Sequence, residues 1–429
     1  NVAEAVGTDI GVVTLTQSAA TTFASTVAAA TVTLADTAGT IQFDGNLTVT
    51  TALTTASQTY LVSILGSVNV IAGTTTFSNT GVVTLGDAAG ESTTFTAGLV
   101  ATAPSALNIA GTVAATTGSS TIALGDSNTN VAVTATSLVG GAATGLIDIG
   151  DATLVDGATL TVGTGIANAI NLDKVTGTAG GAVSSLTINT SGLVNVAEAV
   201  GTDIGVVTLT QSGGTTFADT VAAVTVTLTD TTGTIAFNGN LTVTTALTTA
   251  GQDYAVSILG GSNTIAGTTT FSNTGGVTLG NGGDTVAFTA GVISTASTTT
   301  TSATIDATNA VITFGAVTLA GTTELDTNAA ANSADLTLGA VTSGGNNLTL
   351  DTSAVAGAAI SVASFAGGGV LTIRDSGGTT FAGTVAAATV ALTDTTGTIQ
   401  FSDNLTVTTA LTTASQDYAV SILGSANVI

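Results

Sequence analysis

Lys174 and Arg374 are the two cationic side chains of this 429-residue sequence, set against 26 carboxylates. Histidine and cysteine are absent, which removes Ser-His-Asp and Cys-His nucleophiles and every metal site built on imidazole or thiolate. What remains for chemistry is carboxylate. A pair of acidic side chains can hydrolyse a glycosidic bond, and Asp148 and Asp151 in LIDIGDATL are candidates, but Gly with Asp after an apolar run is turn chemistry first. Cutting an acidic polysaccharide calls for clustered basic groups. Lys174 and Arg374 stand far apart in the sequence, about ten coils of ~20 residues and ~50 Å along a stack, so they do not share a site on one chain. The sequence therefore reads as a non-enzyme, with no catalytic, cofactor-binding or metal-ligating residue assigned.

The remaining motifs read as corners of the chain. Gly86-Asp87, Gly125-Asp126 and Gly150-Asp151 each follow an apolar run. GNGGDTVAF at 280–288 has a faint look of the calcium-binding nonapeptide G-G-x-G-x-D-x-U-x, yet it occurs once and with the wrong spacing. Asp284 capping backbone amides is the favoured reading there, and loose calcium binding by the acidic surface stays unlocalised. Asn46, Asn240, Asn404 and Asn347 open NLT triplets that fit the glycosylation acceptor pattern; in so Thr-rich a chain the expected role is a corner that begins a strand. Tyr60, Tyr254 and Tyr418 occupy one equivalent position, expected in or near the core, with an exposed sugar platform as the alternative.

Apolar residues make up 44% of the chain, aromatic residues 3% and charged residues 7%. Abundant Val, Ile and Leu argue against disorder, and abundant Thr and Val favour strands, because β-branched side chains fit a pleated surface. No run approaches the ~18 apolar residues of a membrane helix. The net charge of −24 excludes phosphate neutralisation, hence nucleic-acid partners, and disfavours a bare anionic membrane. The chain opens at Asn1 without Met and stops within a repeat, so we read it as an excerpt of a longer protein.

Internal repetition organises everything else. NVAEAVGTDIGVVTLTQS at 1–18 returns at 195–212, and GNLTVTTALTTASQ at 45–58 returns at 239–252 and 403–416 with small changes. Long repeats cover 1–194, 195–358 and 359–429, the third cut short. Phe23 and Phe217 are 194 apart, whereas Phe217 and Phe381 are 164 apart. A globular domain does not usually lose a piece as long as that difference and keep its neighbours; a solenoid does if the loss is a whole number of coils. The intervals from Phe23 to Phe43 and from Phe77 to Phe95 suggest coils of roughly 20 residues, a size that suits a β-helix. The expected fold is all-β, one continuous parallel β-helix over 1–429. In the strand opened by Leu47, alternation puts Leu47, Val49, Thr51 and Leu53 inward, and Thr48, Thr50, Ala52 and Thr54 outward.

TDTTGTIQF, TTTFSNTGVVTLGDAAGESTTFTAGLVATAPSALNIAGTV and INLDKVTGTAGGAVSSLTINTSG resemble the repeats of giant filamentous-haemagglutinin-like bacterial surface exoproteins. The likeness is one of repeat style and spans almost the whole chain. It implies a right-handed parallel β-helix, secretion to the surface of a Gram-negative cell, and roles in adhesion or extracellular layers. It supplies no catalytic residues. The expected function is a rigid structural rod that associates with copies of itself into filaments, tubules or a surface layer. The alternative is an adhesin stalk that contacts glycans or a partner cell; ice binding and polysaccharide cleavage are remote.

Overall fold

Alternation along short Thr- and Val-rich runs does produce a parallel β-solenoid. The computed structural model describes residues 1–330, 334–353, 357–393 and 396–429, and every named element in it is a strand. Two compact units divide the chain, Asn1–Asp219 and Thr220–Ile429, together holding about 19 turns.

In the N-terminal unit each turn contributes one strand to each of three parallel sheets. Residues 27–29, 47–49, Val68–Ile71 and Ser92–Phe95 begin the first sheet, which continues through Thr159–Val162 and Ser184–Asn189 to Ile204–Ser212. The second runs from Thr75–Thr76 through Leu99–Ala101, Ile122–Leu124, Ile147–Ile149, Ile170–Leu172 and Val194–Val196 to Thr215–Phe217. The third starts at Thr21–Phe23 and Thr40–Phe43 and climbs to Val175–Gly177 and Val200–Gly201. Inward residues of successive turns form one narrow core, exemplified by Ile170, Leu172, Val175, Leu186 and Ile188, each at most 1% exposed. Each such side chain contributes about 1.5–3 kcal/mol by leaving water. Turn length varies along the stack: the step that carries Thr22 onto Gln42 is shorter than the one that carries Val175 onto Val200.

Those unequal lengths correct the phenylalanine spacing. Phe23 and Phe43 are true neighbours on adjacent turns, with rings stacked 4.9 Å apart and 2° from parallel. Phe77 and Phe95, by contrast, meet edge-on at 6.0 Å and 83°. Phe77 follows the second-sheet strand Thr75–Thr76, while Phe95 ends a first-sheet strand. Their sequence separation is therefore not a turn length.

Thr51 is a second correction. Leu47, Val49 and Leu53 are buried, but Thr50 and Thr51 are both exposed. The strand Leu47–Thr55 serves two sheets, pairing first with 27–29 and then with 31–34, and its register shifts between them. The bend takes up one residue more here than in 27–34, which leaves Thr50 and Thr51 at the corner, and the inward phase resumes at Leu53. The outward Thr edge that follows is laddered, with Thr54 Oγ1 3.3 Å from Thr33 Oγ1.

The stacking also explains the unequal long repeats. In the N-terminal unit, eight ladder steps lead from Thr21–Phe23 to Val200–Gly201 in the third sheet. Two strands more reach the copy, Thr215–Phe217, which lies in the second sheet. In the C-terminal unit, seven steps lead from Ala255–Ile258 to 405–407. Past 410–413, the second half of the strand Leu405–Thr413, lies the copy Ala419–Ile422, which pairs with Thr398–Phe401 instead. The two spacings therefore differ by one whole turn, and each copy of a segment moves to a different sheet.

Candidate functional site

The carboxylates decide where chemistry is feasible, and the turn-to-turn ladder decides which of them meet. In the C-terminal unit, Ile305 pairs with Leu325 and Leu325 with Leu350, so the following residues Asp306, Asp326 and Asp351 stack in one column. Glu324 projects on the same side as Asp326, two residues earlier in the strand Thr323–Asp326. Oxygens of Glu324, Asp326 and Asp351 lie within 4.8 Å of one another, the one grouping of three or more potential metal-ligating side chains among the described residues.

Arg374 closes this column. Leu350 pairs with Ile373, which sets Arg374 beside Asp351 on the next turn. Its Nε lies 2.5 Å from Asp351 Oδ2, and its Nη2 donates to Glu324, two turns back. Burial works against the guanidinium's charge, but the bonds to Asp351 and Glu324 outweigh it and hold the pKa above the ordinary arginine value. Asp326 gains no such partner. Its Oδ1 accepts the Asn328 amide at 2.7 Å, yet burial, with Asp351 and Asp306 adding repulsion, pushes its carboxyl up to about 6. Asp306 is raised too, by burial first and by Glu324 second. The guanidinium supplies within the cluster the positive charge that a metal ion would bring. The arrangement is thus an arginine-neutralised carboxylate ladder, in which one acid, Asp326, keeps its proton to higher pH than an ordinary carboxylate.

Lys174 repeats the device on a smaller scale. Ala152 pairs with Val175, placing Lys174 one turn after Asp151, and its Nζ lies 2.7 Å from Asp151 Oδ2. That bond raises the lysine pKa. Asp173 beside it is raised by burial and by Asp148, Asp151 and Asp126. Asp148 itself projects outward between Ala123 and Asn171 on the second sheet. Of the pair considered for glycoside hydrolysis, then, Asp151 holds Lys174 and Asp148 faces away from the core.

Most of the other singled-out residues make corners. Asp126 Oδ1 accepts the amides of Asn128 and Thr129, and Asp284 Oδ2 accepts that of Asn281 at 2.7 Å. All four NLT asparagines bind the next turn: Asn46 accepts from Val68, Asn240 from Ser262, Asn347 from Val370 and Asn404 from Ala426, each at 2.9–3.1 Å. A partner set went unnoticed in the sequence. Asn69 and Asn263, both buried, and the exposed Asn427 accept the amides of Leu47, Leu241 and Leu405, and each donates to a corner glycine carbonyl. The glycines Gly66, Gly260 and Gly424 are obligatory there, because a Cβ would sit 2.6 Å from the Cα of Asn46, Asn240 and Asn404 respectively.

Tyr60 and Tyr254 are buried, so neither ring offers a face to a sugar. Each hydroxyl donates to a carbonyl on the preceding turn, Leu34 or Leu228, and accepts the amide of Ala56 or Ala250. Tyr418 makes the same bonds to Leu392 and Ala414 in a half-buried setting.

The acidic column was detectable in principle, since TIDAT, ELDTN and TLDTS each place Asp directly after an inward Ile or Leu near the end of a strand. What the sequence lacks is the register that stacks them. No helix among the described residues is long and apolar enough to cross a membrane. No family model, curated protein or solved structure matches the chain.

Proposed function

We propose that this chain is a structural solenoid of the cell exterior, a stiff segment that spaces or coats and associates with copies of itself. One observation carries the reading: its polar side chains are spent on joining consecutive turns. Both cations pair with carboxylates one turn back, the NLT asparagines cap the next turn, and the tyrosine hydroxyls bridge adjacent turns. Side chains committed in this way stabilise length rather than shape a cleft. The absence of Cys, Met and Trp suits a long-lived extracellular material, since these are the side chains that oxidise most readily. The resemblance in repeat style to bacterial surface exoproteins points the same way.

Electron microscopy of the purified chain over a wide concentration range tests it. Rods that lengthen or bundle as concentration rises are the expected outcome. Discrete compact particles at every concentration would sink the proposal.

A further inference from the structure

We infer that the open edge of the strand Val6–Ser18, in the N-terminal unit, is an acceptor for one further parallel turn of the sequence type found at 170–194; the inference does not depend on whether rods associate side by side. Residues 1–18 and 195–212 are identical in sequence. In the second copy a preceding turn lies against them. Leu172 pairs with Val196, Val175 with Val200, and Leu186 and Ile188 with Val207 and Leu209. In the first copy the ladder runs to the following turn, from Val6–Ser18 to Val27–Thr37, and no described turn covers the opposite edge.

One sequence in two settings shows what the covering turn does. Ile204 is 3% exposed and Val207 and Leu209 are fully buried, whereas Ile10 is 41% exposed and Val13 and Leu15 are half-buried. The backbone is engaged as well: the Ala197 amide donates to Leu172, and the carbonyls of Ala199, Asp203 and Gln211 accept the amides of Val175, Ser184 and Thr190. The corner takes a different course. Thr202 and Asp203 turn it with φ of 48° and 68°, whereas the first copy runs as one strand with a register shift between Val6 and Ile10. There Asp9, Ile10 and Gly11 stand over a groove shared with Ala28, Ala29, Ala30, Thr48 and Thr50.

These contacts specify the occupant. It brings inward aliphatic side chains at the places of Leu172, Val175, Leu186 and Ile188, which close over Val2, Val6, Val13 and Leu15 as they do over the second copy. It also brings an apolar side chain at the place of Val183. A Cβ on Gly205 would lie 2.3 Å from Val183 Cγ2, so that glycine is the seat of the valine, and a Cβ on Gly11 would meet nothing within 4 Å. The strand Val6–Ser18 contains neither Lys nor Pro to block pairing, and such an edge is open to strand addition. Because a solenoid is stabilised by each pair of neighbouring turns, a matching turn orders the one that it covers.

The test places a second copy of 170–194 directly ahead of Asn1 in the full chain and reads hydrogen exchange by mass spectrometry beside the unextended chain. We expect the amides of Val6–Ser18 to exchange at least tenfold more slowly in the extended chain, with Leu405–Thr413 in the C-terminal unit unchanged. Ile10→Asp and Gly11→Leu stand at open positions of the unextended chain and should leave its thermal midpoint where it is. In the extended chain both should abolish the slowing, the first by burying a carboxylate and the second by filling the seat of the valine. No slowing in the extended parent, or slowing that survives either substitution, would overturn the inference. Slowing in the unextended chain as its concentration rises would also overturn it, by assigning the edge to a second copy.

Discussion

Arg374 sits one turn after Asp351 on the same ladder, with Nε 2.5 Å from Oδ2, and its guanidinium also reaches Glu324 a further turn back. One side chain thus ties three consecutive turns. Arg374→Ala leaves the buried Asp351 beside Asp326 and Glu324 with no compensating charge. The guanidinium is 40% exposed, so solvent screening limits the effect, and a loss of about 1–2 kcal/mol is expected in denaturant unfolding of the C-terminal unit. Adding Asp351→Asn to Arg374→Ala should recover part of it, which a double-mutant cycle measures. Lys174→Ala, at an exposed pair, should cost less.

The same column sets a pH response. Asp326 holds its proton up to about 6, against an ordinary value of 3.8. Its folded-state pKa is raised, so the unfolded chain releases that proton first. Stability from this group is complete below the ordinary carboxylate range and is lost as pH rises from about 4 to about 6. Asp306, also raised, acts in the same direction. The C-terminal unit should therefore unfold at higher denaturant at pH 5 than at pH 7. Asp326→Asn should flatten that slope and add about 1–2 kcal/mol at pH 7, after discounting for partial exposure. A wild-type slope unchanged by the substitution would refute the assignment.

Tyr60 and Tyr254 make a third case. Each phenol is buried, donates to the preceding turn and accepts an amide in its own corner. Tyr60→Phe or Tyr254→Phe leaves a buried carbonyl and amide without that partner, at a cost of about 1–3 kcal/mol. Burial also raises both phenols above the ordinary value of 10, although the amides of Ala56 and Ala250 pull the other way. The neutral form is favoured in the fold, so stability is retained below pH 10 and lost as pH rises beyond it. In an ultraviolet titration, these phenols should ionise late and together with unfolding.

Much of this was legible in the residues themselves. Alternation in LTV and TIQF, and the return of long segments, identified a parallel stack, because β-branched runs bounded by Gly and Asn suit little else. Local corner chemistry was legible too, as Asp126 and Asp284 show by binding amides two or three positions away. What escaped is whatever depends on register between turns. Thr51 turned outward because the bend at Thr50 adds a residue, and Phe77 with Phe95 mimicked a turn although their strands belong to different sheets. Asn69 and the column of Asp306, Asp326 and Asp351 went unassigned for the same reason. Their partners lie a full turn away, across corners of unequal length that spacing alone does not reveal.

Register also yields a prediction about length. The first long repeat holds one turn more than the second, so this fold accepts a whole turn as a unit of insertion or loss. Removing 107–130 joins Ala106 to Val131 and lets Val131 take the place of Leu107 against Val83, with later strands keeping their sheets. Removing only 107–118 instead brings Ile122–Leu124 into the third sheet and shifts every later strand of the unit by one or more faces. Solenoid stability is approximately a sum over neighbouring turns, so the whole-turn deletion should keep the parallel-sheet spectrum and a thermal midpoint within roughly 5 °C of the parent. The partial deletion must bury outward residues or expose inward ones, and should unfold or aggregate. Circular dichroism with thermal melts separates the two, and equal behaviour of the deletions would show that the stack does not depend on this register.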